Sequence, residues 1–184
     1  YRRNDLKFPK DVKENIAYLR AWQKLFSGDS FAYEYYFWRD CYFDPGHFEI
    51  ARTILEDVKR LREIGIDGIV SDQTQRSFLP TGFSMYVMGQ ALTNRELSFD
   101  AAAEEFFRNC YGEDGALCRE YMQALSELFD PAYMRGERRT VDGVHPASHV
   151  DEEAARRIGR VRPTIEAFRP VIERNLNAPC RGIS

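Results

Sequence analysis

Two aspartates stand where a parallel α/β sheet presents its chemistry. Asp40 follows the aromatic run Phe31-Ala32-Tyr33-Glu34-Tyr35-Tyr36-Phe37-Trp38, and Asp72 follows the short run Ile66-Asp67-Gly68-Ile69-Val70-Ser71. If the runs are adjacent parallel strands, about 4.8 Å apart, both carboxylates project from neighbouring carboxyl ends into one mouth. That separation falls in the range used by paired carboxylates in glycosidic cleavage, roughly 5 to 9.5 Å, where one acts as acid and the other as base. The competing reading is that each merely caps a turn or helix. Glu34 is a third carboxylate of interest, because an acid among aromatic residues in a buried strand must be paired, hydrogen-bonded or shifted in pKa. It reads either as an orienting group or as a structural partner for a buried Arg or Tyr. Trp38, Tyr36 and Tyr42 near the strand end have the ring faces that stack on sugars, or else they fill a core. Arg39 and Arg76 have the forked donors that bind a uronate, and Gln73 beside Asp72 is a further substrate-binding candidate.

Other constellations are poorer. Asp40, Asp44 and His47 are metal-ligand types, but the Asp44-Pro45-Gly46 turn accounts for Asp44 without an ion, and neither a metal nor another cofactor is expected. His145 and His149 lie four apart in a loop, without the acidic neighbour of a helical zinc motif. No G-x-S-x-G, P-loop or G-x-G-x-x-G is found, which removes the common hydrolase, nucleotide and dinucleotide signatures.

The elements that position these residues follow from periodicity. Val12, Ile16, Leu19 and Phe26 recur at helical spacing between Asp11 and Gly28, which predicts a first helix. The aromatic run, bounded by Gly28 and Pro45, predicts a strand buried on both faces, the mark of a parallel sheet covered by helices. A loop over 41–47 leads to a helix carrying Ile50, Ile54, Val58 and Leu61 and ended by Gly65. Residues 66–71 then predict a second strand, completing a βαβ unit with parallel neighbours. After Gln73 the pattern is helical: Phe83 to Leu92, Asp100 to Tyr111 between Ser98 and Gly112, and Ala116 to Phe129. Residues 131–149 read as a long loop. From Asp151, helical spacing persists through Pro163 and Pro170, which predicts one kinked helix or two in tandem.

Composition bounds the rest. The 184 residues are 43% hydrophobic and 30% charged, enough for a folded domain and not for disorder. Lys and Arg number 26 against 29 Asp and Glu, a formal net charge of -3, so no basic excess points to nucleic acid. No apolar stretch approaches the roughly 20 residues that span a bilayer. The expectation is a soluble protein with no nucleic-acid or membrane partner, the cytoplasm being favoured over secretion. Opening on Tyr1 and not Met, it reads as a processed chain or a fragment. Cys41, Cys110, Cys118 and Cys180 form no C-x-x-C pair and read as free thiols. Two parallel strands bury too little to stand alone. The economical completion is a larger barrel of which these are the last βα units; self-pairing with a second copy is the rival.

The order Tyr33-Glu34-Tyr35-Tyr36, Asp44-Pro45-Gly46-His47-Phe48, Leu61-Arg62-Glu63-Ile64-Gly65-Ile66-Asp67-Gly68-Ile69, Tyr86-Val87-Met88-Gly89-Gln90-Ala91-Leu92 and Phe106-Phe107-Arg108-Asn109-Cys110-Tyr111-Gly112 resembles the carboxyl part of the DUF4838 family. Its members are glycoside-hydrolase-like proteins similar in layout to alpha-glucuronidases. The likeness runs from about Phe31 to Leu128. It implies a TIM-barrel-like domain whose last βα units occupy residues 1–78, a helical extension over 79–184, and a polysaccharide-related substrate. Carbohydrate and an upstream barrel half of the same protein are the implied partners. The resemblance supplies no catalytic residue. The second strand ends Ser71-Asp72-Gln73 where the family leads one to expect Glu before a small residue, so either Asp72 replaces that acid or the site is altered. The expected function is that of a glycoside-hydrolase-like protein acting on a polysaccharide or uronide-containing glycan, with a non-catalytic carbohydrate-binding or assembly module as the alternative. Asp72, Asp40 and Glu34 are the catalytic candidates, and Trp38, Tyr36, Arg39, Gln73 and Arg76 are the substrate-binding ones.

Overall fold

A computed structural model of the chain describes residues 11–38, 40–73, 80–129, 134 and 152–176; of Asp40 and Gln73 it describes the backbone alone. The architecture is mixed α/β and mostly helical, with one two-stranded parallel sheet. The described elements are α1 (Val12–Gln23), β1 (Phe31–Phe37), α2 (Phe48–Arg60), β2 (Gly68–Gln73), α3 (Phe83–Thr93), α4 (Phe99–Tyr111), α5 (Gly115–Phe129), α6 (Glu152–Gly159) and α7 (Val161–Asn175). Among the described residues no helix is long and apolar enough to cross a membrane. Apart from residue 134, the expected loop over 131–149, with His145 and His149, lies outside the described residues.

The chain divides into two compact units, one holding the described residues up to Glu34 with Arg60–Val70, the other holding Tyr35–Lys59 with the residues from Ser71 on. In the first unit, Asp11 caps α1 by accepting a hydrogen bond from the Glu14 backbone N–H at 2.8 Å, satisfying one of the donors that a helix start leaves open. The 3-10 turn Leu61–Ile64 ends on Gly65, whose φ of 75° is left-handed and whose N–H returns to Arg62 and Leu61 carbonyls. The carbonyls left over at that end are claimed by α1. Gln23 Nε2 donates to Ile64 O at 2.7 Å and an Arg20 guanidinium nitrogen to Glu63 O at 2.8 Å. Asp67 N–H donates to Ser30 O at 2.7 Å, and Ser30 N–H donates back to the Asp67 carboxylate at 3.2 Å.

The predicted first helix is present as α1; none of its residues is buried, and Val12, Tyr18 and Trp22 are exposed. The expectation that β1 is buried on both faces fails. Its burial alternates, with Phe31, Tyr33 and Tyr35 exposed and Ala32, Glu34 and Tyr36 half-buried, until Phe37 is fully buried. Among the described residues one other strand pairs with it and one side of the pleat is exposed, the ordinary outcome when period-two alternation meets a single covered face.

The core belongs to the second unit. Phe48, Ala51 and Leu55 of α2 meet Phe83, Val87 and Ala91 of α3, Phe99, Ala102, Ala103 and Phe107 of α4, and Cys118 of α5. Rings of Phe48, Phe83, Phe99 and Phe107 form tilted and edge-on pairs at 5.0 to 5.9 Å, the arrangement favoured by ring quadrupoles. Ser98 caps α4. The tandem-helix expectation holds in its second form: α6 and α7 break at Arg160, and Pro170 lies inside α7. The α7 helix is held to α5 by a near-parallel Phe168–Tyr121 stack at 4.0 Å. Asp114, just before α5, accepts from Arg174 and, at 2.7 Å, from Asn175, which holds its carboxyl below the usual carboxylate range.

Candidate functional site

Parallel strands end on the same edge of their sheet, and the closing residues of both strands lie in the second unit. From β1 come Tyr35, Tyr36, Phe37 and then Trp38; from β2 come Ser71, Asp72 and Gln73. Phe37 is the fully buried anchor. The chain then turns, Trp38 N–H donating to Tyr35 O at 3.1 Å, and winds into a 3-10 helix, Asp40–Phe43. Cys41 Sγ donates back to Tyr36 O at 3.2 Å, so the turn is tied to the strand it follows.

The aromatic residues at this edge divide by strand parity. Tyr36 is half-buried and its hydroxyl donates to Asp57 Oδ2 of α2 at 2.9 Å. Tyr35 leaves on the opposite side of the pleat and is 48% exposed; Trp38 is 49% exposed, and the two rings lie 5.5 Å apart at 36°. Tyr42 on the 3-10 helix is exposed as well. Asp72 is half-buried, and Ser71 Oγ is shielded from solvent with no hydrogen-bond partner among the described residues.

Of the sequence candidates, Trp38, Tyr36, Asp40, Asp72 and Gln73 therefore fall at the carboxyl edge of one strand pair. Glu34 belongs to the other compact unit and is half-buried, so the premise of a carboxylate in a fully buried strand does not apply. Arg39 and Arg76 lie outside the described residues. The sequence alone gives Tyr35 no role, because in a strand buried on both faces nothing distinguishes it from Tyr36.

A second polar cluster lies deeper in the same unit. Asp44 and His47 are buried, each 1% exposed, beside Thr81, Ser84 and Ser126. Asp44 accepts from the Ile50 N–H at 2.8 Å and from Ser126 Oγ, while Ser126 Oγ accepts from the Phe48 N–H at 2.9 Å. Together they cap the start of α2. His47 has a left-handed φ of 60°, and its Nδ1 lies 3.1 Å from Ser84 Oγ. Burial is the main influence on its pKa, holding the ring below 6.5 against the opposing pull of Asp44 and a hydrogen bond to the Thr81 backbone. Serine, histidine and aspartate types meet here, but the carboxylate is engaged by Ser126 and Ile50, and Ser84 is 0% exposed. The cluster acts as an internal latch joining α2, α3 and α5. No group of three or more His, Cys, Asp or Glu among the described residues has the arrangement to hold a metal ion.

Comparison of the chain with protein-family models, with curated proteins and with solved structures finds no match.

Proposed function

We propose that this chain belongs to a glycoside-hydrolase-like protein that acts on a polysaccharide or uronide-containing glycan, its βαβ unit forming the last βα units of a TIM-barrel-like domain. The reading is supported by one observation above others: β1 and β2 are parallel, so Trp38 and Asp72 leave the sheet at the same edge, the edge where such sheets carry their ligands. The two outer strand edges have no strand partner among the described residues, which fits strands supplied by an upstream barrel half of the same protein. Asp72 and Asp40 are the acid/base candidates, and Arg39, Gln73 and Arg76 the polar groups for substrate. Glu34 keeps at most an orienting role.

The test is hydrolysis of 4-nitrophenyl glucuronide and of glucuronoxylan by the protein in its intact reading frame, with and without Asp72→Asn. Loss of turnover in a folded variant supports the role; unchanged turnover removes Asp72 from the mechanism. The exposed rings of Tyr35, Trp38 and Tyr42 favour a second reading, a non-catalytic carbohydrate-binding or assembly module, which predicts glycan binding without turnover.

A further inference from the structure

We propose that His47 is a positioning residue for the carboxyl edge of the strand pair: its uncharged ring fastens the end of the connection after β1 to the end of the connection after β2. This deepens the reading of that edge as a substrate site and rests on it. His47 immediately precedes α2, so it closes the connection that carries Trp38 and Asp40. Thr81 and Gly82 immediately precede α3 and close the connection that starts beside Asp72. The ring meets the second connection where it ends: Nδ1 lies 3.1 Å from Ser84 Oγ on the first turn of α3, and the ring holds a hydrogen bond with the Thr81 backbone. His47 does this with a left-handed φ of 60°, ordinarily left to Gly or Asn. Strain of this kind is retained where position matters.

The surroundings favour the uncharged ring. Two helix starts converge on it, α2 directly after His47 and α3 around Ser84, and the positive dipole end of each opposes a cation. A charge there would also lose its water, because the residue is 1% exposed. Asp44 on the same turn pulls the other way, but its carboxylate is already engaged by the Ile50 N–H and by Ser126. From the other elements the described neighbours carry no charge: Thr81 and Ser84 at α3, Ser126 on α5 and, hydrogen-bonded to Thr81, Tyr111 on α4, whose hydroxyl pKa burial pushes up. The packing of α2 on α3 does not depend on the ring. Phe48 and Phe83, the first residues of the two helices, meet at 5.0 Å inside the aromatic core. Protonation of His47 would therefore free the ends of the two connections and leave the helices together. The first connection is tied to β1 through Cys41 Sγ and Tyr36 O; His47 is its tether at the opposite end.

The experiment is amide hydrogen exchange by NMR on the 184-residue chain, from about pH 8 to about pH 5. His145→Gln and His149→Gln leave His47 as the remaining imidazole of three. Protection factors, corrected for the intrinsic pH dependence of exchange, are compared at two sets of amides: Trp38, His47 and Phe83 along the two connections, and Leu55, Val87 and Phe107 in the core. The expected result is that protection of the first set falls about tenfold as the ring takes its proton, with the core set unchanged. His47→Asn, which tolerates the left-handed φ and does not titrate, should abolish that pH dependence. His47→Ala should lower the first set at every pH. Equal loss in both sets makes His47 a part of the core and overturns the proposal. Constant protection while the ring titrates overturns it too, as does a pH dependence that survives in His47→Asn. If the ring is still uncharged at the acid end, the alanine variant decides, and parental protection of its first set overturns the proposal. Absence of glycan hydrolysis by the intact protein, beside the expected exchange pattern, overturns the glycoside-hydrolase reading and leaves the tether in place.

Discussion

Gly46 is the position at which one methyl group should do the most damage. A Cβ built there would lie 1.8 Å from the Met122 carbonyl oxygen and 2.7 Å from both the backbone N and Oγ of Ser126. A carbon and a carbonyl oxygen approach to about 3.3 Å, so Gly46→Ala requires the turn and α5 to separate by about 1.5 Å. The Phe48 N–H to Ser126 Oγ bond, now 2.9 Å, would open to about 4.4 Å, beyond hydrogen-bond range. The Ser126 to Asp44 bond would be lost with it. Two buried interactions, one of them to a carboxylate, are each worth about 1 to 3 kcal/mol when a partner is left unsatisfied. The expected destabilisation is thus about 3 to 5 kcal/mol, a large part of the total stability of a domain. Urea unfolding followed by far-UV ellipticity at neutral pH measures it. Gly89→Ala is the control: a Cβ there meets nothing within 4 Å, and Ala inside α3 should stabilise by about 0.5 to 1 kcal/mol. A Gly46→Ala loss below about 1 kcal/mol at an unchanged urea slope would show that α5 yields freely, and the account of the latch would be wrong.

Two further predictions concern His47 and Gly65. Burial lowers the His47 pKa below 6.5, so as pH falls the unfolded chain binds the proton first; this stability term is intact above about pH 6.5 and is lost downward through the folded value. His47→Asn, a residue that tolerates the left-handed φ of 60°, should flatten stability against pH below about 6.5, and an unchanged acid slope would assign that slope to other groups. In the first unit, Gly65→Ala combines a φ of 75° with a Cβ 2.4 Å from Gln23 Nε2. It should cost about 1 to 2 kcal/mol and raise amide exchange at Gly65 and Ile66; parental exchange at those two amides would refute the role given to that turn.

Much of the framework was legible because local chemistry and tertiary structure agree. Asp11 and Ser98 are helix caps, Gly65 is a left-handed stop, and the break between α6 and α7 accompanies Pro163 at the third residue of α7. The parallel pairing of the two runs also followed from their order and the helix between them. Burial was less legible. A run such as Phe31 to Trp38 is apolar at nearly every position, so its pattern does not distinguish an inner face from an outer one, and Tyr35 and Tyr36 looked equivalent. The latch was hidden for another reason. Asp44 and Ser126 are 82 residues apart, and what allows them to meet is the absence of a side chain at Gly46.

By itself, the sequence determined which segments are helix and strand, because caps, glycines and hydrophobic spacing act over a few residues. The tertiary structure decided which aromatic side chains face water, which aspartate serves as an internal cap and which glycine must stay bare, because those outcomes depend on atoms brought together from distant parts of the chain.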